Sequence, residues 1–247
     1  MDSKIKIEIC VDSVESALNA QRGGADRIEL CSDLNAGGLT PSKGLIEYVI
    51  SHLQIPVYVM IRPRSGNFLY TRAEFQIMKA DIFAAKVAGA AGIVMGMLNS
   101  DSTVDTCRMK ELIEISHPLP VTFHRAFDMI LNQELALEQI VEIGCSRILT
   151  SGGKATAIEG CQKIAELNRI SNERIIIMPG SGINETNLPE LYQRTLCKEF
   201  HLSASSQSPI KVKFFNEDLV SVFPPYHKIT VIEKVEAATR SIKSLIS

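Results

Sequence analysis

The sequence predicts an α/β chain folded as a single (β/α)8 TIM barrel, one domain spanning residues 1–247. Three observations predict it. Short apolar strands alternate with helical patterns eight times along 247 residues, and a chain that repeats strand and helix in this way builds a parallel sheet wrapped by helices. No Pro/Gly/Ser-rich linker divides the chain. The strands, split by parity, also carry one apolar and one charged face. A strand covered by helices must be apolar on the covered side, so the charged face is the barrel interior. An open doubly wound sheet is the competing parallel architecture, but it seldom needs eight repeats.

Bulk properties narrow the function classes. The composition is 45% hydrophobic and 22% charged, with a net charge of −2. That is ordinary for a globular chain and offers no basic face for nucleic acid. No apolar run reaches the ~20 residues of a membrane span. The opening MDSKIKIEIC lacks the apolar core of a signal peptide. The six cysteines, Cys10, Cys31, Cys107, Cys145, Cys161 and Cys197, form no CxxC pair. Reduced thiols in a cytoplasmic compartment are therefore expected, rather than a disulfide framework.

In chain order, strands are predicted near 5–11, 26–31, 57–62, 92–95, 121–124, 146–149, 175–178 and 199–203. Helices follow near 13–23, 42–52, 71–88, 104–116, 132–143, 155–168, 184–194 and 233–246. Asp12 or Ser13, Ser42, Thr71, Asn132 and Asn184 are the expected N-caps, since a short polar side chain can accept from the free amides of the first turn. Gly23-Gly24, Gly89 and Gly144 stand where helices should stop. The segment 204–232 carries Pro209, Pro224 and Pro225. Its length suits either a lid over the barrel mouth or a plain surface excursion.

Alternation assigns the faces. Ile5, Ile7 and Ile9 oppose Lys6, Glu8 and Cys10. Ile28 and Leu30 oppose Arg27, Glu29 and Cys31. Val57, Val59 and Ile61 oppose Tyr58, Met60 and Arg62. Phe200 and Leu202 oppose Glu199, His201 and Ser203. Buried ions cost several kcal/mol each unless they pair, so Lys6, Arg27, Glu8 and Glu29 are expected to pair across neighbouring strands.

Chemistry-bearing residues cluster at strand tips. VTFHRAFD breaks a strand into His124, Arg125 and Asp128, and Asp128 could orient His124 or pair with Arg125. Glu8, Glu29 and His201 are further acid–base candidates, because two carboxylates on adjacent strands raise one pKa. Arg62 and Arg64, with Ser151 and Gly152, Gly180 and Gly182, and Ser203, form a candidate anion-binding set. Barrel enzymes often hold phosphate on glycine amides after the last strands. Such a set suits a small phosphorylated or carboxylated metabolite, although turn-forming glycines and a purely structural ion network produce the same pattern. Cys10 and Cys31 end neighbouring strands on the polar face. Two thiolates so placed can hold a soft ion such as Cu(I), and half-buried reduced cysteines are equally common.

Taken together, EICVDSVESA, GGADRIELC, GGLTPS, IRPR, FLY, VTFHRAFD, RILTSG, PGSGI and EFHLSAS resemble the CutC copper-homeostasis family in its animal-type form. The resemblance covers nearly the whole chain. It implies a (β/α)8 barrel, a cytoplasmic location, homo-oligomers, a role in copper handling, and Cys10 and Cys31 as Cu(I) ligands. Ser65 and Asn67 depart from the Gly and Asp usual in the family, and Ser181 replaces a frequent glycine. The resemblance leaves open whether an enzymatic activity accompanies the copper role.

Overall fold

The structure is a computed structural model, and it describes residues 5–210, 212–220 and 224–243. Eight parallel strands form one sheet: β1 (Lys6–Val11), β2 (Arg27–Leu30), β3 (Val57–Met60), β4 (Gly92–Met95), β5 (Val121–Phe123), β6 (Arg147–Thr150), β7 (Ile176–Pro179) and β8 (Glu199–Leu202). They are hydrogen-bonded in the order β7-β6-β5-β4-β3-β2-β1-β8. The remaining seam, between β7 and β8, carries a single parallel bridge from Gly180 to His201. The result is a nearly closed barrel.

The surrounding helices are α1 (Val14–Arg22), α2 (Lys43–His52), α3 (Arg72–Val87), α4 (Thr106–Ser116), α5 (Gln133–Glu142), α6 (Cys161–Ser171), α7 (Leu188–Thr195) and α8 (Ile232–Lys243). Among the described residues none is long and apolar enough to cross a membrane. Positions 244–246 of the predicted last helix lie outside the described residues. Ser13, Ser42, Thr71 and Asn132 each accept from a backbone amide of the first turn, and Thr71 with Glu74 completes a capping box. Two predicted starts fall too early. Asn184 Oδ1 accepts from the amides of Thr186 and Asn187 in a turn, so α7 begins only at Leu188. Thr156 and Glu159 cap one another's amides in a similar turn, and α6 is delayed to Cys161. Such local side-chain bonds compete with the helix for the same amides.

The core lies between barrel and helices. Ile7, Ile9, Ile28, Leu30, Val59, Ile93, Phe123, Ile148 and Phe200 face outward into it and are buried, each contributing roughly 1.5–3 kcal/mol. A smaller group, Cys31, Tyr58, Met60 and Val94, packs inside the barrel. Gly92 makes room for it, since a Cβ there would sit 2.5 Å from the Tyr58 ring.

The interior is ionic, as parity predicts, but its membership differs. Lys6 is exposed at the barrel's lower edge and takes no part. Arg27 pairs with Glu8 and, at 2.5 Å, with Glu199, which also accepts from Arg147 Nε at 2.8 Å. Both guanidinium groups lie over the Tyr58 ring, at 5.0 and 5.3 Å. Arg147 thus supplies the cation expected from Lys6, because it enters at the strand layer while the long Lys6 chain can reach water.

The 204–232 segment contains an antiparallel hairpin, β9 (Ser205–Pro209) with β10 (Tyr226–Thr230). Ile210, Val212 and Phe214 at its outer end are exposed, and the hairpin residues do not line the central cavity.

Candidate functional site

A cavity of about 260 Å³ opens at the C-terminal end of the barrel. It is lined by Cys10, Glu29, Met60, Arg62, Phe68, His124, Arg125, Gly182, His201 and Ser203, with apolar contributions from Leu34, Leu149, Ile183 and Leu202. Eight of the predicted site residues therefore meet in one space. The others do not line it. Glu8 lies below, Cys31 behind the wall, and Asp128, Arg64, Ser151, Gly152 and Gly180 are held by other partners.

Glu8 is buried and clamped twice, by Arg27 and by His201 Nδ1, which sits 2.7 Å from Oε1. Burial alone would raise its pKa. The Arg27 guanidinium and His201 outweigh that and hold it well below the carboxylate range. His201 behaves conversely. Burial would lower it, but Cys10, Glu29 and the bond to Glu8 raise it well above an ordinary imidazole. Glu8 and His201 thus form a buried ion pair. Glu29 has no such clamp. Desolvation pushes its pKa up, the neighbouring Glu8 adds to the shift, and its Oε1 is buried without a partner. Its Oε2 lies 3.4 Å from Cys31 Sγ and 3.8 Å from His201 Nε2.

His124 sits at the tip of β5. Its Nδ1 accepts from the Ala126 amide at 3.2 Å, which places any ring proton on Nε2. Burial, with Arg62 nearby, depresses its pKa from 6.5 to about 3, so the ring is neutral. Nε2 is buried without a partner on the cavity side. Phe68 packs on the imidazole at 4.9 Å. Gly96 is required behind it, because a Cβ there would lie 2.6 Å from Nδ1. Neither Phe68 nor Gly96 stood out as a site residue in the sequence, since the first is distant in the chain and the second acts only by being small.

Asp128 does not orient His124. It accepts from Arg125 Nε at 2.8 Å, from the Thr150 hydroxyl, and from the amides of Ser151 and Gly153. It thereby ties the Arg125 turn to the β6 tip. Ser151 is spent on Asp128, Arg125 and the Lys154 carbonyl. The Gly152 amide donates to Thr150 Oγ1 and the Gly180 amide to the Thr150 carbonyl, so neither is free for an anion. Arg64 turns away to Glu74 and the Leu69 carbonyl. Arg62 is mostly committed too, donating to the carbonyls of Ala36, Gly38 and Gly66, although its buried Nε lacks a partner. The anion-binding face reduces to Arg125, Gly182, Ser203 and what remains of Arg62.

The two cysteines differ. Cys10 stands opposite Glu29 in the β1–β2 register and lines the cavity. Cys31, two residues beyond Glu29, is fully buried with Met60. Burial and the adjacent Glu29 push its thiol well above the ordinary value.

The profile of the CutC family matches residues 5–206. The chain belongs to the CutC family. A human copper homeostasis protein CutC homolog is 46% identical over 245 residues, covering 97% of this chain and 90% of its own. A Vibrio vulnificus CutC-family protein is 46% identical over 215 residues, 86% of each chain. The crystal structure of a CutC protein from Streptococcus agalactiae superposes with a TM-score of 0.78 at 35% identity, over 81% of this chain and 98% of that one. More distant barrels, such as phosphoribosyl anthranilate isomerase from Thermotoga maritima (TM-score 0.59, 13% identity, 97% of this chain and 99% of that one), share the fold alone. The names of the human and mouse relatives associate the CutC chain with copper homeostasis.

Proposed function

We propose that this CutC protein handles copper by binding Cu(I) through Cys10 and Cys31, in the cytoplasm and as a homo-oligomer. The observation that carries the reading is the pair of thiols on inner faces of neighbouring strands, with the Met60 thioether packed against Cys31. Thiolates and thioethers are the donors that select Cu(I) over harder ions, so the residues present fit the ion. Cys10, on the cavity wall, is the donor an incoming ion reaches first. Cys31 keeps its proton while metal-free, and binding must release it, so affinity rises with pH. The absence of any paired cysteine spacing supports a reducing compartment. Titration of the reduced protein with Cu(I) against a chromophoric chelator tests the reading. One ion per chain is expected, lost in the Cys10→Ser, Cys31→Ser double variant; unchanged affinity in that variant refutes it.

A second reading, an enzyme or binding protein for a small phosphorylated or carboxylated metabolite, is favoured by a separate observation. His124 Nε2, Glu29 Oε1 and Arg62 Nε are all buried without partners, and all three residues line the same cavity. A site for Cu(I) has no use for them, whereas a ligand with an anionic oxygen for the two N–H groups and a hydroxyl to donate to Glu29 would satisfy all three. Inorganic phosphate should raise the melting temperature of the parent, and Arg125→Gln should remove the effect. A parent whose melting is indifferent to phosphate counts against this reading.

A further inference from the structure

We propose that the cavity floor is a site for a divalent cation of borderline softness, zinc-like in character, held by His201 and Glu29 with Glu8 positioning the histidine. One ligand atom each of Glu8, Glu29 and His201 lies within 4.8 Å of the others. Their roles are unequal. Both Glu8 oxygens are occupied, Oε2 by Arg27 and Oε1 by His201 Nδ1. Glu8 therefore stands behind the histidine, as the carboxylate does in carboxylate–histidine–metal arrangements, and turns Nε2 towards the cavity. Besides Cys10, Nε2 has the Glu29 carboxylate near it, at 3.8 Å. That is too long for a hydrogen bond, but two ligands of one tetrahedral ion stand apart by a comparable distance.

The independent observation is Glu29 Oε1. Glu29 is 3% exposed, lines the cavity, and this oxygen has no partner. A buried carboxylate oxygen left bare is costly, and a cation satisfies it. Cys10 is opposite Glu29 in the register and on the same cavity wall, which places its thiol to close on the ion as a third donor, although it stands outside the tight Glu8, Glu29 and His201 group. A mixed N, O, S set suits zinc better than calcium or magnesium, which take oxygen alone.

This site is separate from the Cu(I) reading in one residue: it does not use Cys31. The test is titration of chelator-stripped, full-length protein with Co(II), followed by displacement with Zn(II). Intense visible bands typical of a tetrahedral site, with a sulfur-to-cobalt band in the near ultraviolet, are expected. Glu29→Gln and His201→Asn should each weaken binding at least tenfold, whereas Cys31→Ser, which keeps a hydroxyl beside Glu29 Oε2, should weaken Co(II) binding far less than either, whatever it does to Cu(I). Since His201→Asn disturbs a buried ion pair, X-ray absorption on the zinc-loaded parent gives a second readout, with imidazole nitrogen at about 2.0–2.1 Å and sulfur at about 2.3 Å. A folded parent that binds neither ion, folded Glu29 and His201 variants that bind as the parent does, or a zinc shell without imidazole would overturn the proposal.

Discussion

Replacing Glu199 by Gln tests the charge-matched barrel interior most directly. Glu199 is buried and accepts from Arg27 and from both Nε and Nη2 of Arg147, at 2.8 and 3.4 Å. Without its charge, Arg27 still has Glu8. Arg147 keeps only neutral partners: the Gln amide oxygen, Tyr58 Oη at 3.4 Å, Thr122 Oγ1 at 3.5 Å and the face of the Tyr58 ring. The substitution therefore strands one buried cation, and removing one partner of a buried pair costs about 3–5 kcal/mol. In a domain of this length 1 kcal/mol moves the midpoint by roughly 2–4 °C, so a fall in Tm on the order of 6–20 °C follows. Urea denaturation at pH 7, followed by far-ultraviolet circular dichroism, measures the free energy; calorimetry measures Tm. Adding Arg147→Met should restore much of the loss, since the stranded charge is then gone. If Glu199→Gln costs less than about 1 kcal/mol, or if the double variant is the weaker of the two, the interior is wetter than the structure implies and the pairing argument fails.

Two further outcomes follow from His124. Its pKa is near 3 in the fold against 6.5 when exposed, so the unfolded chain takes up a proton between those values and the folded chain does not. Stability should thus fall as pH drops through that window, by up to about 1.4 kcal/mol per pH unit from this residue, and the difference between the parent and His124→Gln, measured from pH 4 to pH 7, should show that slope; parallel curves would mean that the ring is already solvated. Gly96→Ala should push the imidazole from its seat, costing about 1–3 kcal/mol as an overpacked position and moving the His124 titration seen by NMR towards the ordinary range. An unmoved titration would show that the β4 tip yields instead.

Much of the barrel was legible in the sequence because its two periods are local. Strand alternation separated Ile7 and Ile9 from Glu8 and Cys10 without any knowledge of neighbours, and caps such as Thr71 with Glu74 lie within one turn of each other. The residues of the site were legible for the same reason: Cys10, Glu29, His124 and His201 each end a strand on its inner face. Their partners were not. Arg62 and Arg64 look equivalent in IRPR, yet Arg62 reaches loop carbonyls and Arg64 reaches Glu74 on the next helix.

What the sequence alone determined, then, is the class of fold, the polar inner face and the family. Tertiary structure decided which of the inner charges are spent and which are free. Register sets Cys10 against Glu29 rather than against Cys31, and closure of the barrel brings His201 of the last strand to Glu8 of the first. The physical reason is that a buried charge answers to whatever lies within a few ångströms, and those neighbours come from strands far apart in the chain.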